Sequence, residues 1–208
     1  MAVTACSVVA TGDLLAGDVW SNTWHVEAAS LGGPLAQSDA QDVADQFETF
    51  YTSALGLLCS AGTTLAQITV TDLTTSPGNK WYFFTPLDPT GGTVMPQINA
   101  CAVSLRSTVV AGPTNRGRIY LPLTDQAALA ANGTISGATR TTLLGYVGAL
   151  ASNLIANTLS EGIVVYSRKL EGITSVNLCQ IDSIPDTQRG RRNRILPGVT
   201  SGPISFGP

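Results

Sequence analysis

Four arginines crowd into six residues near the C-terminal end, Arg189, Arg191, Arg192 and Arg194, in the run RGRRNR. Each guanidinium stays charged at any ordinary pH and presents a planar fork of donors that fits phosphate and carboxylate oxygens. Gly190 and Asn193 interrupt the run and keep its backbone adaptable. Three readings of the cluster stand open: contact with a polyanion, pairing with acidic side chains of a neighbouring subunit, or a solvated tail. No aromatic residue interleaves with these arginines. Base stacking is therefore not expected, and any contact with nucleic acid would be sequence-blind.

Other reactive residues are sparse. His25 is the single histidine, and it sits between Trp24 and Val26 in a strand-like stretch with no Gly-x-Ser-x-Gly elbow elsewhere in the chain. A satisfied or surface histidine is expected there, not a catalytic base. Cys6, Cys59, Cys101 and Cys179 are far apart and form no CxxC pair, so buried free thiols are expected and no zinc pattern is present. Asp39, Asp42 and Asp45 recur every third residue; this reads as a solvated helix face more readily than as a metal-attracting ridge. Neither a phosphate-binding loop nor a dinucleotide fingerprint occurs. Asn132-Gly133-Thr134 matches a glycosylation sequon, a pattern with meaning only in a secreted context. The expectation is no catalytic residue, no metal, no cofactor and no enzyme.

Composition bounds what must position the arginines. Charged residues make up only 12% of the 208, against about 25% in an ordinary soluble protein, so the surface has to be built largely from Thr, Ser, Asn, Gln and Gly. A chain that hides much of its surface against copies of itself has this balance; a secreted or cell-wall protein can share it. The net charge of -3 conceals a division. Residues 1–79 hold eight acidic residues and no Lys or Arg, whereas residues 80–208 hold all 11 basic residues and six acidic ones. Such asymmetry points to an interaction surface, with chance segregation as the plain alternative. Met1–Gly17 lacks a basic start and does not read as a signal peptide. No run approaches the roughly 20 apolar residues that a membrane span needs, so no membrane partner is expected.

The periodicity gives strands at Val3–Ala10 and Trp20–Glu27, then a Gly-Gly-Pro turn at Gly32–Pro34. A helix follows over 39–59. Ser38 and Gln41 are spaced as a capping box, and Val43, Phe47, Phe50, Tyr51, Ala54 and Leu58 form its apolar stripe. Alternation and β-branching predict strands at Gln67–Leu73, Lys80–Thr85, Cys101–Ser107 and Arg118–Leu121, with turns at Thr74–Asn79, Leu87–Gly92 and Gly112–Asn115. A second helix is predicted from Thr139 to Leu159. Leu143, Val147, Leu150 and Leu154 share one face, Gly145 and Gly148 either weaken it or permit close packing, and Gly162 is its stop. Gly162–Arg168 and Thr174–Ile181 complete the strands. The fold class is α+β, an antiparallel-leaning sheet with two long helices; a single jelly roll with helical insertions is the alternative, since eight strands can be counted. Residues 1–194 read as one domain and 195–208 as an extended Pro/Gly-rich arm.

Two stretches, Arg116–Pro122 (RGRIYLP) and Ser175–Arg194 with its ending DTQRGRRNR, taken with the Trp20–Val26 strand and the Phe47–Tyr51 helix stretch, resemble coat or other virion proteins of small viruses and phages from environmental samples. The resemblance implies a self-assembling shell subunit located in the virion, with copies of itself as partners and packaged nucleic acid as a further partner of the arginines. The chain departs from many genome-packaging coats in beginning without a basic arm. A phage tail or connector ring, and a carbohydrate- or receptor-binding module using Trp20, Trp24 and Trp81, are the rival readings. Particle symmetry, copy number, host and genome type are left open by the sequence.

Overall fold

The structure is a computed structural model and describes residues 4–14, 19–28, 33–108, 114–131, 135–156, 162–167, 176–180 and 194–195. Two strands open the chain, β1 (Thr4–Asp13) and β2 (Val19–Ala28), paired antiparallel from Thr4↔Ala28 to Asp13↔Val19. Helix α1 (Gln37–Leu58) follows, then β3 (Leu65–Asp72), which returns to the other side of β1, and β4 (Lys80–Leu87), which closes a hairpin on β3. A long hairpin, β5 (Val94–Thr108) and β6 (Thr114–Asp125), builds the second sheet. Helix α2 (Gly137–Ala156) leads to β7 (Gly162–Ser167), which pairs with β2. Strands β8 (Val176–Gln180) and β9 (Arg194–Ile195) then flank the second hairpin.

The result is a five-stranded sheet in the order β4-β3-β1-β2-β7 and a four-stranded sheet in the order β8-β5-β6-β9. The α+β class holds, with two long helices. The first sheet is antiparallel throughout, whereas β8 and β9 join the second in parallel. The jelly-roll alternative does not fit, because β1 to β4 lie in the order 4-3-1-2 and not the 4-1-2-3 of a Greek key.

Strand alternation divides the first sheet into two unlike faces. Cys6, Val8 and Ala10 of β1, Trp20, Asn22, Trp24 and Val26 of β2, and Ile68 and Val70 of β3 are buried on the inner face. Helix α1 lies against this face. Its predicted stripe of Val43, Phe47, Phe50, Tyr51, Ala54 and Leu58 is buried throughout. The Trp24 ring meets Phe47 edge-on at 5.1 Å and Phe50 at 5.8 Å, and Trp20 meets Tyr51 at 5.4 Å, within the range where aromatic pairs attract beyond simple burial. Trp24 Nε1 donates to the Tyr51 hydroxyl at 2.8 Å, which lets both polar tips be buried without loss. Trp20 Nε1 donates to the Thr64 carbonyl at 2.8 Å. Gly12 makes that approach possible, because a Cβ on it would stand 1.8 Å from the same oxygen.

Helix α1 starts earlier than its sequence suggests. Ser38 is not the cap; Ala36 occupies that place, and Asp39, reaching back from the third helical position, accepts from the Ala36 N–H at 3.2 Å. A carboxylate supplies the same satisfaction of a free N–H and also favours the positive end of the helix. At the other end, Cys59 Sγ donates to the Pro122 carbonyl at 3.1 Å, while the Ser60 N–H and the Thr63 hydroxyl each meet Thr124 Oγ1 at 3.0 Å. These buried contacts fasten the helix end to β6 of the second sheet. Asn22 Nδ2, donating to the Tyr120 carbonyl at 3.2 Å, ties β2 to the same strand.

Helix α2 buries Leu143, Val147, Leu150 and Leu154 as expected. Its glycines do not serve close packing, since a Cβ at Gly145 or Gly148 would meet nothing within 4 Å. Gly162, expected as the stop of this helix, stands at the start of β7.

Candidate functional site

Arg189, Arg191 and Arg192 lie outside the described residues, as does the sequon at Asn132. Arg194 is placed. As the first residue of β9 it stands beside Asn115 of β6, with Ile195 beside Arg116. On the far side of β6, β5 sets Arg106 at the register of Arg116 and Ser104 at that of Arg118. One end of the second sheet therefore collects Arg194, Arg116 and Arg106 on three adjacent strands, with Arg118 two residues along. The register gathers these arginine positions at one end of the sheet.

Like charges directly opposite in an antiparallel pair destabilise it. Arg106 and Arg116 are partners in the β5–β6 register. The only acidic residue in either strand is Asp125, at the far end of β6 opposite Val94. No acidic residue of β5 or β6 lies at this end.

The acidic half of the chain is displayed on α1. Asp42 and Asp45 are exposed, Asp39 and Glu48 half-exposed, and no Lys or Arg stands on the helix or anywhere before Lys80. Asp45 Oδ1 accepts from Gln41 Nε2 at 2.6 Å and Asp39 is engaged at the helix start. The ridge behaves as a solvated, negatively charged face. Among the described residues, no group of three or more His, Cys, Asp or Glu side chains converges to hold a metal ion.

A third feature is the outer face of the first sheet. Its register rows run Lys80–Thr71–Ser7–His25, Tyr82–Thr69–Val9–Thr23 and Phe84–Gln67–Thr11–Ser21 across β4, β3, β1 and β2. Hydroxyls, amides and small apolar groups dominate these rows, with Lys80 at one margin and Glu27 beyond His25 at another. Burial lowers the His25 pKa, which favours the neutral imidazole. Helix α1 and the second sheet engage the opposite face, through Trp24 and Asn22. This face is the low-charge surface that the composition demands.

The remaining titratable groups are structural. Asp72 is buried at the end of β3. Burial alone would raise its pKa, but donors from Thr74, Thr75 and the Leu35 backbone outweigh it and hold the carboxyl below its ordinary value. The Thr74 N–H reaches Oδ1 at 2.9 Å and the Thr75 hydroxyl reaches Oδ2 at 3.2 Å, which shapes the turn into β4. Cys6, Cys59 and Cys101 are all buried. Desolvation, reinforced by the Asp72 charge, pushes the Cys6 thiol up to about 12, and desolvation pushes Cys59 up to about 12. Neither is a nucleophile at neutral pH. Trp20 and Trp24 are core residues, so they offer no platform for a sugar ring.

Sequence reasoning could not find the arginine end as a unit. Arg106, the Arg116-Gly117-Arg118 run and Arg194 are separated in the chain, and only the strand register brings them together. Among the described residues no helix is long and apolar enough to cross a membrane. Compared with known proteins, the chain matches no family model, no curated protein and no solved structure.

Proposed function

We propose that this chain is a structural subunit that assembles with copies of itself into a closed shell, a coat protein of a virion. The observation that carries the reading is the outer face of the first sheet: four adjacent strands in register whose outward rows are almost free of charge. A surface of that kind is stable in water, yet costs little to desolvate, because few ionic groups must lose their hydration. The charge division supports the same reading. An acidic helix without basic neighbours in sequence and a basic sheet end without acids in its central strands are complementary between molecules, and opposite charges on separate surfaces set orientation and encounter.

In this reading Arg189, Arg191, Arg192 and Arg194, together with Arg106, Arg116 and Arg118, face packaged nucleic acid or the α1 ridge of the adjacent subunit. Contact with the genome is through phosphates and without base recognition. The reading assigns the chain no catalytic role and no cofactor. Negative-stain microscopy of the purified protein, paired with light scattering, tests it. Uniform closed particles are expected. Rings of low cyclic order would move the protein to a tail or connector component, and a stable monomer would contradict self-assembly. Alanine at Arg189, Arg191, Arg192 and Arg194 together is expected to lower particle yield or nucleic-acid content.

A further inference from the structure

Strand β4 is an open edge. It pairs with β3 on one side, and among the described residues no strand meets its other side. The opposite margin of the same sheet, β7, is met by β6 of the second sheet. Proteins usually blunt such an edge, because its unpaired backbone groups template the addition of another strand. Here Lys80 and, beside a register shift, Pro86 blunt the two ends of the edge, while its middle is lined with aromatic rings. Tyr82 is 53% and Phe84 76% exposed, and both belong to the outer face. Trp81 and Phe83, at the alternate positions, are half-buried against the core and fix the strand in place. Lys80 caps the row, with Nζ 5.1 Å from the centre of the Tyr82 ring.

We propose that β4 is a homotypic interface: β4 of one copy pairs antiparallel with β4 of a second copy about a two-fold axis through Phe83. Partners across a ladder share a face, so the register must match even positions with even ones if the aromatic rows are to stay on one side. Centring on Phe83 sets Tyr82 against Phe84 of the partner subunit, and by symmetry Phe84 against the partner's Tyr82. Two aromatic pairs then form from one self-complementary strand. The regular pairing ends before the register shift that β4 carries between Phe84 and Leu87. Pro86, which has no N–H to give, falls at the end of the pairing, where its loss matters least. The five-stranded sheets of two copies become one continuous sheet, with their neutral outer faces on the same side.

This contact deepens the self-assembly reading and rests on it. It is tested in the full chain by cysteine trapping. A mixture of Tyr82→Cys and Phe84→Cys chains is oxidised mildly and compared with each variant alone and with the unaltered chain. The proposed register predicts a disulfide-linked dimer in the mixture and none above the unaltered chain's level in either single variant. Phe84→Lys, at an exposed position that leaves the core intact, is expected to weaken self-association by at least about tenfold, the loss typical of an aromatic anchor. Equal trapping in a single-variant sample would overturn the register. Particles that form normally with Phe84→Lys and without trapping would overturn the β4 interface while leaving self-assembly standing. An unaltered chain that remains monomeric would overturn the underlying reading and this contact with it.

Discussion

The two faces of the first sheet are made by the same strands, yet they obey different rules. The inner face is a set of large, specific contacts. Trp24 alone meets two aromatic rings of α1 and donates a hydrogen bond to Tyr51. The outer face, one residue away at every position, carries Ser7, Val9, Thr11, Ser21 and Thr23, none of which is a large side chain. The inner face holds the subunit together by burying surface that nothing else can cover. The small side chains of the outer face bury less surface, and in the proposed assembly they meet other copies. Substitutions should therefore separate into those that unfold the chain and those that change only its association.

The largest expected effect is on the inner face. Trp24→Ala should cost about 3–5 kcal/mol, from lost burial, a cavity and the stranded Tyr51 hydroxyl. Thr23→Ala, its outward neighbour, should change stability by no more than about 0.5 kcal/mol. Denaturant midpoints of the two variants check the contrast, and equal losses would break it.

Asp72→Ala should come next, at about 1–3 kcal/mol near neutral pH, because donors of Thr74, Thr75 and Leu35 lose a buried acceptor. The sign of its pH dependence follows from the depressed pKa. The carboxylate's stabilisation is present above the pKa it has in the unfolded chain and is lost as pH falls through the lower folded value. The gap between wild type and variant should narrow in acid, as urea titrations across pH would report.

A smaller change of opposite sign is expected on α2. Gly145→Ala and Gly148→Ala should each stabilise by up to about 1 kcal/mol, since alanine is the better helix former and the added methyl meets open space. Thermal melting of the double variant measures it. The smallest effect is an absence of reaction: Cys6 and Cys59, buried and with thiols pushed up to about 12, should resist alkylation at pH 8 in the folded protein and label fully once it is denatured.

How much of this was legible in the sequence follows the physics of each element. The stripe on α1 was readable, because aromatic and apolar residues recur at a helical period over the whole helix and each one is buried. The alternation of β1 to β4 was readable for the same reason at a period of two. The start of α1 was misplaced because Ser38 and Gln41 have the spacing of a cap, while the reciprocal bond comes from Asp39. Strand β6 runs on to Asp125, past Pro122, a residue that ordinarily ends a strand; its carbonyl still serves, accepting from Cys59. Gly145 and Gly148 read equally well as packing sites or weak points, and only the open space around them decides. The convergence of Arg194 with Arg116 and Arg106 depends on register between distant strands, and no local pattern encodes that.

In the proposed assembly the neutral outer face and its aromatic edge join copies of the chain. Sedimentation velocity over a concentration series, run at low and at high salt, tests it most directly. Species much larger than the 21.6 kDa chain are expected, with a neutral sheet contact that persists at high salt even as the contacts between acidic helix and arginine end weaken. A single species at the mass of one chain, at every concentration and in both salts, would contradict it.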